Sequence, residues 1–231
     1  MSRWEAQRSE LWHVVQQMVA GGLVAGASGN ASMCLERNAE QGLIMITPSQ
    51  RPYVHMAADD LLVVDFEGDP VEGELMPSTE TLTHVAVYRA RKDVHAVIHT
   101  HSPYASVLAV AGLELPPILD ELVVLVGGPV RIAKYGFPGS DDLAREACLA
   151  LGDHKAVLLK NHGLLGVGAT AQEALQVCEL VERAAHVFVM SSLLGKASLL
   201  PQEIVDAERS LFLMRLDQPL GDQGPNQEIT R

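Results

Sequence analysis

Two histidines, His99 and His101, stand one residue apart at the end of a β-branched run over residues 94–100. Side chains at i and i+2 of a strand project to one face, so both imidazoles can reach a single ion. A third histidine, His162, follows another apolar run in Lys160-Asn161-His162-Gly163. Three neutral imidazoles that leave a coordination position open are the donor set of a catalytic divalent metal site. Zn²⁺ suits such a set, and Mn²⁺, Co²⁺ or Fe²⁺ can also occupy it. The H-x-H spacing also arises by chance among nine histidines. His13, His55, His95, His154 and His186 have no partner at ligand spacing and read as surface or core residues.

Glu80 is the next reactive group. It falls in the first turn of a helix opening at Ser78, with His84 one turn later on the same face. A carboxylate there can serve as general base beside the metal or as a fourth ligand. An acid that merely complements the helix dipole is the commoner case. Three clusters of glycine and short hydroxyls can hold a phosphate: Gly29-Asn30-Ala31-Ser32, Thr47-Pro48-Ser49 and Ser78-Thr79. Backbone N–H groups and hydroxyls bind phosphate without a lysine. Each cluster taken singly also describes a turn or helix cap.

The rest of the chain must position these groups. Its 231 residues suit one domain, residues 1–216, followed by a loose polar tail over 217–231. A net charge of −12 gives no footprint for nucleic acid or an anionic membrane surface. An anionic substrate must therefore be held by local dipoles, hydroxyls or a metal. Cys34, Cys148 and Cys178 are scattered and odd in number, which suits reduced thiols in the cytoplasm. The N-terminal residues do not read as a signal peptide, and no apolar run approaches the roughly 20 residues of a membrane helix.

Periodicity predicts a first helix from a Ser2–Glu5 capping box to Gly21-Gly22 and strands over 31–36, 43–47 and 59–65. A helix from Ser78 to about Arg91 precedes the 94–100 strand, and Pro103 opens a short helix. Further strands are expected over 130–133, 156–160 and 164–168. Helices capped by Ser140 and Thr170 and a last one over 202–214 complete the set. Strands and helices alternate without a strict βαβ rhythm, which implies a mixed or mainly antiparallel sheet with helices on both faces.

In order, the chain reads Gly29-Asn30-x-Ser32, Ile46-Thr47-Pro48-Ser49, Pro77-Ser78-Thr79-Glu80-Thr81-x-x-His84, His99-Thr100-His101-Ser102 and Asn161-His162-Gly163. This series resembles the class II aldolase/adducin head family, over about residues 10–195. The resemblance implies a three-layer α/β/α sandwich with a central mixed, mainly antiparallel sheet, assembled as a homotetramer with sites at subunit interfaces. It implies His99, His101 and His162 as metal ligands, with Glu80 as acid/base and as a ligand when substrate is absent. Gly29, Asn30, Thr47, Ser49, Ser78 and Thr79 would hold the phosphate. His84 would brace the site without touching the metal. The implied activity is cleavage of a ketose 1-phosphate, such as a deoxy- or methylthio-pentulose 1-phosphate, to dihydroxyacetone phosphate and an aldehyde through a metal-stabilised enediolate. Methylthioribulose-phosphate dehydratases, sugar-phosphate 4-epimerases and sugar-acid-phosphate decarboxylases of the same family are the alternatives, as is a non-enzymatic adducin-like interaction module.

Two departures stand out. Fuculose-phosphate aldolases use one tyrosine in the segment that here reads Ile118-Leu119-Asp120-Glu121-Leu122 and another from the C-terminal tail of a neighbouring subunit. In this chain the tyrosines are Tyr53, Tyr88, Tyr104 and Tyr135, none of them at those places. Asp120 and Glu121 are the acids in that segment that can move a proton, or else they form a cap or surface turn. Gln50 stands where the family usually has glycine after Thr-Pro-Ser.

Overall fold

The computed structural model describes residues 3–38 and 41–216. Its centre is β5 (Ala96–Thr100), buried along its whole length. β5 lies between β1 (Asn30–Arg37) and β8 (Gly163–Gly168), and both neighbours run antiparallel to it. β2 (Gly42–Ile46), β3 (Leu62–Asp65) and β4 (Pro70–Glu72) extend the sheet beyond β1; β7 (Ala156–Leu159) and β6 (Arg131–Ala133) extend it beyond β8. The order is β4-β3-β2-β1-β5-β8-β7-β6, and only the β6–β7 pair is parallel. The sheet is therefore mixed and mainly antiparallel.

Strict alternation of apolar side chains sends each strand's residues to two separate cores. Met45, Val63, Ile98, Leu158 and Leu164 join one cluster. It is shared with α1 (Glu5–Ala20), α3 (Pro103–Ala111) and α5 (Ala171–Leu193). Their sequence neighbours Ile44, Ile46, Leu62, Val64, Val97, Val157 and Leu165 join the other. That cluster faces α2 (Thr81–Ala90) and α4 (Asp141–Leu151). Two helical layers thus enclose the sheet, as the resemblance implies. A strand buried on both faces holds its end residues rigidly, and β5 carries His99. α6 (Gln202–Leu216) packs against a turn at 122–126.

Several elements differ from the sequence-based expectation for local reasons. α1 starts at Glu5 with Trp4 in the cap position and no side-chain cap; Ser2 and the tail over 217–231 lie outside the described residues. The segment expected to begin a strand at Asp59 instead forms a short 3-10 turn. There the Asp60 carboxylate accepts the Ala57 N–H at 2.8 Å, and the strand begins at Leu62. Residues 122–126 form a π-helical turn that periodicity does not reveal. The Thr170 cap forms as expected, its hydroxyl accepting from the Glu173 N–H at 3.1 Å.

Candidate functional site

Antiparallel pairing sets Asn30 of β1 directly opposite His99 of β5. The next strand over begins at Gly163, directly after His162. His101 leaves the end of β5, where Pro103 starts α3 and the Glu182 carboxylate of α5 accepts the N–H groups of Tyr104 and Ala105, both at 2.9 Å. Glu182 thereby fixes the loop that carries His101. Asn161 turns the chain between β7 and β8 with a left-handed φ of 58°, a conformation asparagine tolerates better than most residues. Gly163 leaves room where a side chain would strike the Thr100 carbonyl and the rings of His99 and His101.

These constraints bring three imidazoles together. His99 Nε2 lies 2.9 Å from His101 Nε2 and 3.3 Å from His162 Nε2. His99 Nδ1 lies 3.0 Å from the Leu164 carbonyl, which can only accept. Nδ1 is therefore the protonated nitrogen, and the Nε2 lone pair points at the other rings. Burial holds His99 neutral, with its pKa lowered to about 3, and also lowers His101. Lone pairs this close repel one another unless a cation sits between them.

Glu80 closes the cluster at the start of α2, in the cap position and not inside the helix as the Ser78 opening had suggested. Its Oε2 is 3.3 Å from His99 Nε2 and its Oε1 is 3.2 Å from His162 Nε2. Burial pushes its pKa up, but the facing His99 and His162 and the Asn30 amide outweigh that and hold it below the ordinary carboxylate value. The Glu80 Oε1 and His162 Nδ1 atoms are buried without a hydrogen-bond partner. Three convergent imidazoles, a carboxylate and an orphaned carboxylate oxygen fit a divalent cation.

The three hydroxyl and glycine clusters meet beside the histidines. Thr47 exchanges backbone and side-chain hydrogen bonds with Ala31, and Pro48 bridges Pro77, which draws Thr47-Pro48-Ser49 against Ser78-Thr79. Gly29 is in the left-handed region at φ 74°, its carbonyl accepting the Tyr53 hydroxyl at 2.9 Å. A Cβ there would sit 2.6 Å from the His99 carbonyl, so only glycine lets this loop touch β5. Gln50 adopts φ 55°, which explains why glycine is customary at that place: the turn is left-handed, and a side chain costs about 1–2 kcal/mol there. Thr79 is exposed, and its backbone lies against Gly139.

Asp120 and Glu121 sit elsewhere in this chain. Both are exposed. Glu121 pairs with Arg183 of α5. Asp120 lies near Glu208 of α6, whose pKa is raised by desolvation and by the Asp120 carboxylate. Sequence reasoning gave His84 a bracing role but missed its link to Asn30 and the part of Ser32 and Tyr88 behind it. His84 Nε2 lies 2.5 Å from Asn30 Oδ1, and Ser32 Oγ lies 2.7 Å from both His84 Nδ1 and the Tyr88 hydroxyl. The signal was present as Asn30-x-Ser32 at strand spacing and Glu80, His84, Tyr88 at helical spacing.

The sequence profile described as "Class II Aldolase and Adducin N-terminal domain" matches residues 9–189. This chain belongs to the class II aldolase and adducin family. Family members with curated names extend the likeness over nearly the whole chain. A 5-deoxy-D-ribulose 1-phosphate aldolase of Bacillus thuringiensis serovar kurstaki is 36% identical over 199 residues, covering 86% of this chain and 92% of the relative. A 5-methylthioribulose-1-phosphate/5-deoxyribulose-1-phosphate aldolase of Rhodospirillum rubrum is 32% identical, covering 86% of this chain and 87% of its own. The solved structure of an L-fuculose 1-phosphate aldolase superposes with a TM-score of 0.83 at 32% identity, covering 90% of this class II aldolase chain and 97% of its own.

Proposed function

We propose that this chain is a metal-dependent ketose-1-phosphate aldolase whose substrate is a 5-deoxy- or 5-methylthio-pentulose 1-phosphate. The convergence of His99, His101, His162 and Glu80 beside three segments of glycine and short hydroxyls carries the reading. The named relatives at 36% and 32% identity support the substrate class. His99, His101 and His162 would hold the ion, with Glu80 as a further ligand when no substrate is present. Bound there, a divalent cation such as Zn²⁺ supplies Lewis-acid polarisation of a carbonyl and its neighbouring hydroxyl.

The protein's own groups do the rest. Gly29, Asn30, Thr47, Ser49, Ser78 and Thr79 orient the phosphate and the first carbons through backbone N–H groups and hydroxyls. As a carboxylate of the 118–122 segment takes the C4 hydroxyl proton, the C3–C4 bond breaks, and the electron pair stays with the phosphate-bearing fragment. Glu80, having taken up a proton from solvent, passes it to C3, which completes dihydroxyacetone phosphate beside the departing acetaldehyde or (methylthio)acetaldehyde. Electrons balance without an oxidant. The group that takes the C4 hydroxyl proton is not a tyrosine of the 118–122 segment; Asp120 and Glu121 are the carboxylates that this segment would offer to a neighbouring subunit's site. Exposed Met190, Leu193, Leu194, Ile204, Leu211 and Met214 on α5, α6 and the turn after α5 support assembly into a homotetramer. Cys34, Cys148 and Cys178 are free thiols, which supports a cytoplasmic setting, and no described helix is long and apolar enough to cross a membrane.

The test is product analysis on metal-reconstituted protein with a panel of ketose 1-phosphates. Dihydroxyacetone phosphate with acetaldehyde from the 5-deoxy substrate, or with (methylthio)acetaldehyde from the 5-methylthio one, is expected. Loss of water, an isomer of unchanged mass or release of CO₂ would instead assign the dehydratase, epimerase or decarboxylase chemistry of the family.

A further inference from the structure

Behind the site a single line of hydrogen bonds runs from the core to Glu80, and every member is buried. Asn30 and Ser32 are two residues apart on β1, so they share a face of the strand. Glu80, His84 and Tyr88 are successive fours along the start and body of α2, so they share a face of the helix. The two faces meet. Asn30 Nδ2 donates to Glu80 Oε2 at 2.8 Å. Asn30 Oδ1 lies 2.5 Å from His84 Nε2, His84 Nδ1 lies 2.7 Å from Ser32 Oγ, and Ser32 Oγ lies 2.7 Å from the Tyr88 hydroxyl.

The chemistry of these groups allows one direction only. A carboxylate accepts and cannot donate, so the Asn30 NH₂ must face Glu80 and its carbonyl must face His84. His84 Nε2 then has to carry the ring proton, and Nδ1 has to accept. Ser32 supplies that donor, and its own oxygen accepts from Tyr88. The opposite tautomer of His84 would turn the Asn30 carbonyl oxygen towards the carboxylate, where two acceptors repel. We infer that Tyr88, Ser32 and His84 are positioning residues that fix the tautomer of His84, and through it the orientation of the Asn30 amide that holds Glu80 for proton transfer. The inference deepens the aldolase reading of Glu80 and rests on it for its catalytic meaning. The line itself is a property of the fold and is testable without substrate.

Two measurements test it. Long-range proton–nitrogen spectra of metal-free, histidine-labelled protein should show His84 as a neutral ring protonated at Nε2. A ring protonated at Nδ1, or one averaging between tautomers, overturns the inference whatever the enzyme does. In the second, Ser32→Ala should lower kcat by about 10-fold, with KM and metal stoichiometry unchanged, and should let the His84 resonances average. Ser32→Thr, which restores the hydroxyl, should recover the rate, and Tyr88→Phe should fall between them. An unaltered kcat in Ser32→Ala, or a loss shared by KM and metal content, refutes the positioning role. Should the wild-type protein cleave no ketose 1-phosphate while His84 is protonated at Nε2, the aldolase reading fails and the hydrogen-bond line stands.

Discussion

Gly163 offers a test in which one methyl group is set against the whole metal cluster. A Cβ added there would sit 2.2 Å from the Thr100 carbonyl oxygen and 3.2 Å from both the His101 and His99 rings. A carbon–oxygen contact needs about 3.3 Å, so in Gly163→Ala the start of β8 must move from the end of β5 by roughly 1 Å. Backbone conformation adds no penalty, since Gly163 is not among the positive-φ glycines. Overpacking of this size costs about 1–3 kcal/mol. In a chain of this length that lowers Tm by roughly 3–10 °C. The larger effect falls on the site. His162 precedes Gly163 and must move with it, and a misplacement of about 1 Å costs on the order of 100-fold in rate. Metal content by mass spectrometry, kcat on the ketose 1-phosphate and a thermal melt of the same preparation check it. Full metal occupancy with kcat near the wild-type value would refute the claim that this contact sets the spacing of the histidines.

The remaining expectations are simpler. Glu80→Gln should keep the metal but lower kcat by roughly 10²–10⁴-fold, measured by coupled detection of dihydroxyacetone phosphate, if Glu80 moves the proton. His101→Ala should lose both metal and activity while its circular dichroism stays native, because His101 belongs to neither core. Metal at about 100 times its Kd should stabilise the protein by about 2.7 kcal/mol, seen as a raised Tm that a chelator reverses. Burial lowers the His84 pKa to about 4 from its ordinary 6.5. Between those values the unfolded chain binds a proton that the folded one does not, so metal-free stability should fall as pH drops from about 6.5 towards 4, by up to about 1.4 kcal/mol per unit from this residue. Denaturant melts across that range should show a shallower fall for His84→Gln.

The histidine triad, Glu80 and the hydroxyl clusters were legible because their spacing matches the periods of the elements that carry them. His99 and His101 close a strand, and Asn30 and Ser32 share a strand face. The two cores were legible for the same reason, as neighbouring residues such as Val97 and Ile98 alternate between them. What the sequence hid was tertiary. Nothing in Glu80's surroundings along the chain shows that it stops short of the helix, because the turn is made by Ser78 and the carboxylate is drawn to Asn30, to His99 of β5 and to His162 in the turn before β8. Nothing along the chain singles out Glu182, yet it anchors the loop after β5. Gln50 read as a departure from the family, and the left-handed φ supplies its physical meaning.

Strand order also bears on how the molecule comes apart. β1, β5 and β8 occupy the fourth, fifth and sixth places of eight, whereas β4 and β6 are three-residue edge strands. Local opening begins where few buried contacts oppose it, so amide hydrogens at the two rims should exchange long before those of residues 96–100. Early heating or mild denaturant would then loosen β4 and β6 while Asn30, His99 and Gly163 remain in register. Catalytic competence should accordingly outlast a measurable loss of sheet signal, and its disappearance should coincide with global unfolding.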